Sequence, residues 1–115
     1  MSEDCLFCKI LAGEIPCDEV YSDDTVFAFR DISPAAPTHI LIIPRKHIPN
    51  VAVAEEEDAE LLGQLMLKAN EIAEREGLTG DGFRYVINTG SQGGQTVSHI
   101  HLHILGGRQM TWPPG

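Results

Sequence analysis

The apolar residues of the chain form short runs typical of strands and one stripe with helical spacing, which together predict an α+β fold. His39–Ile43 is a near-continuous aliphatic run that ends at Pro44, which is typical of a central strand covered on both faces. Between about Glu55 and Glu76 the apolar residues recur at helical spacing, which predicts one long helix. Its first turn, Glu55–Asp58, is acidic, as the helix dipole favours. The predicted apolar stripe consists of Leu61, Leu62, Leu65, Met66, Ala69, Ile72 and Ala73.

Shorter patterns predict the remaining elements. We expect a short helix over Cys5–Ala12, with Asp4 as its N-cap and Gly13 after its end. The other strands are expected at Val20–Tyr21, Thr25–Arg30, Phe83–Asn88 and Ser98–Leu105. The prediction is therefore one domain over residues 1–115, with a mostly antiparallel five-stranded sheet, one long helix and one short N-terminal helix.

Charge and composition narrow the classes of function. The net charge of −9 argues against binding to polymeric nucleic acid, because that affinity comes mostly from Lys and Arg. A small phosphorylated ligand stays compatible, since backbone N–H groups and imidazoles can hold it locally. No apolar run is long enough to span a membrane. The acidic start, Met1–Asp4, does not resemble a signal peptide, so we expect a cytoplasmic protein.

The segment His99–His103 alternates imidazoles with aliphatic side chains. On a strand, His99, His101 and His103 would share one face, and the aliphatic side chains would pack on the other. Three neighbouring imidazoles suit either metal binding or nucleophilic and acid–base chemistry on phosphorus. The preceding Gly-rich loop, Ser91–Thr96, favours phosphorus because its backbone can form an anion-binding nest. The absence of a nearby carboxylate argues against a catalytic metal.

These residues resemble the histidine triad (HIT) family. His99–Leu105 is similar to its signature, His-φ-His-φ-His-φ-φ, in which φ is apolar. The resemblance covers nearly the whole chain and points to the Hint branch, the nucleoside phosphoramidases. The further motifs that carry it are Asp31–Pro34, Pro37–His39, Gly93–Gln95, Gly106–Met110 and Trp112–Gly115.

The resemblance implies a HIT-like fold and a hydrolase that cleaves the P–N bond of purine nucleoside 5′-phosphoramidates and acyl-adenylate-like substrates. His101 is implied to attack phosphorus and form a covalent nucleotidyl-histidine, which water hydrolyses to the nucleoside monophosphate. His103 is implied to bind a phosphate oxygen, His39 to join the proton network, and Thr96 to donate to the leaving atom. The implied ligand is a purine nucleotide such as AMP or GMP, bound by a homodimer, with no cofactor required for catalysis.

Further residues match nucleotide-binding positions of the family. Asp31 matches a group that accepts from the ribose hydroxyls, Ile32 a residue lining the base pocket, and Asn88 a residue near the phosphate. The phosphate loop is matched by Gly94, Gln95 and Thr96. The apolar walls of the purine pocket are implied to be Leu6, Phe7, Ile10, Phe29 and Leu41, which ordinary core packing would explain equally well. Trp112 lies in a tail that reaches the partner subunit's site in relatives.

Cys5 and Cys8 form a Cys-x-x-Cys motif, and zinc would require two more ligands. Some triad relatives combine this motif with a histidine after the central strand and with the first triad histidine. That likeness implies a structural zinc site made of Cys5, Cys8, His47 and His99. The alternative is a pair of reduced, buried thiols.

Two other functions stay open at this point. A metal enzyme could use all three triad imidazoles as ligands, and would lose its activity to chelators. A nucleotide-binding regulatory module would bind a nucleoside monophosphate tightly, with negligible turnover and no covalent adduct.

Overall fold

The chain forms a five-stranded antiparallel sheet with one helix packed on each face, as the α+β prediction expected. The computed structural model describes residues 4–115, so the first three residues of the acidic start lie outside it. The strands are β1 Glu19–Ser22, β2 Val26–Arg30, β3 Thr38–Pro44, β4 Arg84–Val86 and β5 Leu102–Gly106, and the helices are α1 Leu6–Leu11 and α2 Ala59–Arg75. The strand order is β1-β2-β3-β5-β4.

The central strand β3 separates two apolar clusters. Its even-numbered side chains, Ile40 and Ile42, pack with α2, whereas Leu41 and Ile43 pack on the side of α1. This alternation follows from the two-residue period of a strand and confirms the prediction of a strand covered on both faces. The predicted helical stripe is largely confirmed, but Met66 is 37% exposed because it lies at the margin of the face that packs on the sheet.

Strand β5 begins at Leu102, four residues later than predicted. In the register with β3, Ile42 lies opposite Leu102, so the partner of Ile100 would be Pro44. Proline has no N–H to donate to a ladder. The N–H of Ile100 donates instead to the carbonyl of Ile48 at 2.8 Å, and His99 and His101 lie in the segment that precedes the strand.

The helix starts also differ from the prediction. Cys5, not Asp4, caps α1, because its Sγ accepts the N–H of Cys8 at 3.3 Å. Residues 55–58 do not form the first turn of α2, because Glu55 and Asp58 form a reciprocal capping box around a short 3₁₀ turn. Lys46 Nζ lies 2.6 Å from the buried Asp58 carboxylate and joins this turn to the segment after β3.

The strand predicted at Phe83–Asn88 is reduced to β4, which lies at the sheet edge and pairs with β5 alone. Neither of the two α-helices described within residues 4–115 could cross a membrane, since each is too short or too polar.

Candidate functional site

A pocket of about 250 Å³ opens between α1 and strands β2, β3 and β5. All five predicted wall residues line it: Leu6, Phe7, Ile10, Phe29 and Leu41. The predicted base-pocket residue Ile32 also lines it. So do four predicted polar or reactive residues: Asp31, Thr96, His101 and His103. The structure thus brings ten of the predicted site residues to one cavity that has apolar walls and also carries two imidazoles.

Five lining residues were missed from the sequence: Ile15, Pro16, Cys17, Arg30 and Val97. The first three belong to the loop between α1 and β1, which forms part of the pocket wall. Their one sequence signal is Ile15, an apolar residue within a loop, and the path of a loop is not encoded in hydrophobic periodicity.

The three triad imidazoles lie on the α1 side of the sheet, although the first two precede β5. The Phe7 ring contacts the rings of His99 and His101, with centroids 6.0 and 5.0 Å apart. The rings of His101 and His103 lie 5.1 Å apart. The aliphatic residues between them pack on the α2 side, so the predicted division of faces is confirmed.

The backbone fixes the tautomer of His101. Its Nδ1 lies 2.8 Å from the carbonyl oxygen of His99, and a carbonyl can only accept, so Nδ1 carries the proton. The Nε2 atom of neutral His101 is therefore left with its lone pair. His101 is 4% exposed and lines the pocket, which places a nucleophilic nitrogen at an enclosed site.

A second chain of hydrogen bonds orients His39 and His103. The N–H of Ala35 donates to Nδ1 of His39 at 3.0 Å, so the proton of neutral His39 is on Nε2. That N–H donates to Nδ1 of His103 at 2.9 Å, which leaves the proton of neutral His103 on Nε2. His103 Nε2 is buried and has no hydrogen-bond partner within residues 4–115. The arrangement presents an unused N–H donor beside His101.

Burial keeps these imidazoles neutral. Desolvation, followed by the nearby His101 and His39, lowers the pKa of His103 from 6.5 to about 4. Desolvation also lowers the pKa of His39, and the neighbouring Asp31 carboxylate opposes that shift only in part. Near neutral pH the hydrogen-bond chain therefore carries no net charge, and His103 Nε2–H is available to an acceptor.

We expect the stability of the protein to fall as the pH drops from about 6.5 towards 4. The unfolded chain binds a proton at His103 in this window and the folded chain does not, so protonation favours unfolding. Thermal melting at pH 7 and pH 5, with zinc held constant, measures the fall. The variant His103→Asn should lose less stability between pH 7 and pH 5 than the wild type. An equal loss in the two proteins would contradict the attribution of the loss to His103.

The second cluster consists of Cys5, Cys8, His47 and His99, whose ligand atoms all lie within 4.8 Å of one another. Cys8 Sγ lies 3.3 Å from Nδ1 of His47, and Cys5 Sγ lies 3.4 Å from Nδ1 of His99. The two Nδ1 atoms are 3.1 Å apart. Tetrahedral zinc at its usual bond lengths would separate such donors by about 3.3–3.8 Å, so the set fits zinc with shifts of a few tenths of an ångström.

His99 is oriented as a metal ligand by the backbone. Its Nε2 donates to the carbonyl of Pro44 at 2.8 Å, so the Nδ1 lone pair of the neutral ring points at the two sulfur atoms. The ring is fully buried, which explains the lowered pKa that also favours the neutral form a metal requires. His99 thus faces the cysteines, while His101 faces the pocket.

Four predicted nucleotide-binding residues lie outside the pocket lining: Asn88, Gly94, Gln95 and Trp112. Within the Gly-rich loop, the N–H of Gly94 donates to Ser91 and that of Gln95 to the Gly90 carbonyl. The Gln95 side chain accepts from Gly90 and donates to Pro49 and Val97, so it holds the loop in place. Trp112 is 82% exposed.

The three triad imidazoles do not converge on one point. Within the described residues, neither cluster of potential metal ligands contains His99, His101 and His103 together. The expectation that no carboxylate lies nearby was wrong, because Asp31 Oδ2 is 3.5 Å from Nε2 of His39. Asp31 approaches from the loop after β2, a contact that the distance along the sequence does not reveal.

The sequence has relatives with the same extent. It is 56% identical to an uncharacterised HIT-like protein of Synechococcus elongatus, over the full length of both chains. It is also 55% identical to a 14 kDa zinc-binding protein of Zea mays. The aligned 112 residues cover 96% of this chain and 87% of that protein.

The structure and the family profile agree with these relatives. The crystal structure of a HIT family hydrolase from Legionella pneumophila superposes with a TM-score of 0.96, at 56% identity, covering 97% of this chain and 100% of that one. The profile of the HIT domain matches residues 12–110, which include His101, His103 and every residue lining the pocket except the three on α1. The chain therefore belongs to the HIT domain family.

Proposed function

We propose that the protein hydrolyses the P–N bond of purine nucleoside 5′-phosphoramidates through a nucleotidyl-His101 intermediate, and acts in the same way on acyl-adenylate-like substrates. The observation that carries this proposal is the pair of fixed tautomers beside the pocket. His101 presents a lone pair on Nε2, and His103 presents an unpartnered N–H. A nucleophile and an anion donor side by side suit attack on a phosphoryl group.

In the first step, Nε2 of His101 attacks the α-phosphorus as the P–N bond breaks. The hydrogen bond from Nδ1 to the His99 carbonyl holds the ring in place and stabilises the positive charge that develops on it. The Thr96 hydroxyl lines the same pocket and serves as the donor to the leaving nitrogen. The amine takes up one proton as it departs.

In the second step, water attacks phosphorus and breaks the bond to His101, which releases the nucleoside monophosphate and returns one proton. His103 Nε2–H donates to a non-bridging phosphoryl oxygen throughout. Its position is fixed by His39 and, through it, by the Ala35 amide. Such donors are most effective where charge develops in an enclosed, water-poor site.

The apolar walls of the pocket support the proposal that the bound group is a purine nucleoside. Phe7 and Phe29 meet edge to face, with centroids 5.6 Å apart, and Ile32 is almost fully exposed at the rim, where a base could cover it. Asp31 lines the same pocket, where its carboxylate can accept from the ribose hydroxyls. AMP and GMP are the proposed products.

We further propose that zinc is held by Cys5, Cys8, His47 and His99 in a structural role, so that catalysis requires no cofactor. When bound, zinc supplies a crosslink between the start of α1 and the segment that leads to His101. A homodimer in which the exposed tail around Trp112 reaches the partner's pocket stays a prediction.

Trapping the intermediate tests the proposed function. The zinc-loaded protein is mixed with adenosine 5′-phosphoramidate, quenched within milliseconds to seconds, and digested for mass spectrometry. We expect AMP attached to His101 and free AMP that accumulates with time. Tight AMP binding without an adduct or turnover would favour a regulatory binding module instead. Adduct-free turnover that chelators abolish would favour a metal-dependent hydrolase.

A further inference from the structure

A second cluster of metal-ligating side chains, with no sulfur, lies beside His101. It consists of Asp31 from the loop after β2, His39 on β3 and His103 on β5, and its ligand atoms all lie within 4.8 Å of one another. His39 Nε2 is 2.9 Å from Nδ1 of His103 and 3.5 Å from Oδ2 of Asp31. Three elements that meet only in the folded chain therefore bring two imidazoles and one carboxylate within ligand distance of one another.

The geometry matches what a first-row divalent ion requires. Ligand bonds of 2.0–2.2 Å at tetrahedral or octahedral angles separate neighbouring donors by about 2.9–3.4 Å. The separations of His39 from His103 and from Asp31, 2.9 and 3.5 Å, fall within about a tenth of an ångström of that range, and the third pair lies within 4.8 Å. The outer nitrogen of His39 already accepts from the Ala35 amide, which turns Nε2 inward, as the orienting contacts of metal-binding histidines do.

In the absence of metal, one proton lies between the two facing nitrogens of His39 and His103. An ion at this point takes the place of that proton and gains the negative charge of Asp31, whose side chain is 20% exposed. The exposed side leaves coordination positions for water, so the ion can exchange with solvent. The net charge of −9 further favours the approach of a cation.

We propose that Asp31, His39 and His103 form an exchangeable site for a divalent transition metal such as Zn²⁺ or Co²⁺. A bound ion occupies the Asp31 carboxylate that a ribose would use and removes the proton that couples His39 to His103. Metal binding and nucleoside binding therefore exclude one another, so the ion acts as a competitive inhibitor. The inhibition rests on the proposed function, whereas the site itself does not.

Cobalt titration of the zinc-loaded protein tests the site without any turnover. We expect about one further equivalent of Co²⁺ per chain, with d–d absorption but without the charge-transfer bands that thiolate ligands give. Elemental analysis of the same sample should still find one zinc per chain. Failure to bind a further equivalent at millimolar Co²⁺, or charge-transfer bands from the added ion, would overturn the proposal.

Two variants locate the ion. Asp31→Asn and His39→Asn should each weaken Co²⁺ binding at the second site by at least tenfold and keep one zinc per chain, which reports that the fold is intact. Asp24→Asn is the matched control, since it removes the same charge at an exposed position in the β1–β2 turn and should leave binding unchanged. Equal binding in all three variants would place the ion elsewhere and refute the site.

Adenosine tests the exclusion, because it carries the ribose hydroxyls but no phosphate that could chelate the ion. Saturating adenosine should lower the apparent Co²⁺ affinity of the second site, and an unchanged affinity would refute mutual exclusion. Failure of the metal site and failure of the proposed reaction can be told apart. A cobalt site that depends on Asp31 in a protein without phosphoramidase activity would support the site and refute the proposed reaction.

Discussion

The variant His101→Ala is expected to lower kcat/KM for adenosine 5′-phosphoramidate by roughly 10,000-fold or more, because it removes the imidazole lone pair that attacks phosphorus in the proposed mechanism. His103 cannot substitute for it, since its Nδ1 accepts from His39 and its Nε2 carries the proton. Alanine also removes the ring that packs against Phe7. Steady-state assays of amine release measure the effect.

Nucleotide binding separates lost chemistry from a lost fold. His101→Ala should still bind AMP, since the apolar walls, Asp31 and His103 remain, and its affinity should change by less than about tenfold. His103→Asn is the informative comparison, because it removes the phosphoryl donor and keeps the nucleophile. It should slow turnover and still form the adduct. Full turnover by His101→Ala would exclude the covalent mechanism.

Cys8→Ser is expected to abolish tight zinc binding and to lower the melting temperature by roughly 10–20 °C in the presence of zinc. A metal that binds only the folded chain contributes about 4 kcal/mol at a thousandfold excess over its Kd, and the variant loses that contribution. The pocket should suffer as well, because α1 carries Leu6, Phe7 and Ile10. We expect KM to rise more than kcat falls.

The third cysteine provides the control for this experiment. Cys17→Ser changes the same atom, but Cys17 lies outside the metal cluster, so one zinc per chain should remain. Zinc content is measured by elemental analysis, and stability by thermal melting with zinc and with a chelator. Equal melting temperatures for wild type and Cys8→Ser under both conditions would mean that the cluster has no structural role.

Much of this fold is visible in the sequence, because burial imposes a period on the residues. The β3 run, the α2 stripe and the opposite faces of His101 and Ile100 all follow from that rule. The late start of β5 does not follow from it, because that start depends on which residue of the last segment lies opposite Pro44 of β3. Cross-strand register is a property of the assembled sheet.

The candidate site divides in the same way. Residue types and spacing are enough to nominate the three triad imidazoles and the Cys-x-x-Cys pair, whereas the resemblance adds His47 to the expected zinc set and assigns the roles. The approach of Asp31 to His39 depends on the path of the loop after β2. In the same way, the place of Ile15 and Cys17 in the pocket wall depends on the path of the loop between α1 and β1. The tautomers depend on single carbonyl oxygens, which periodicity does not describe.

Those carbonyl oxygens matter for attempts to redesign this protein. The acceptors that orient His99 and His101 belong to the main chain of Pro44 and His99, so no ordinary side-chain substitution deletes them. Directed evolution can therefore vary the surrounding walls widely without losing the tautomeric state of His101. Retuning that state would instead take backbone chemistry, such as an ester in place of the peptide bond after His99, which weakens the acceptor and also removes the Ile100 N–H that donates to Ile48.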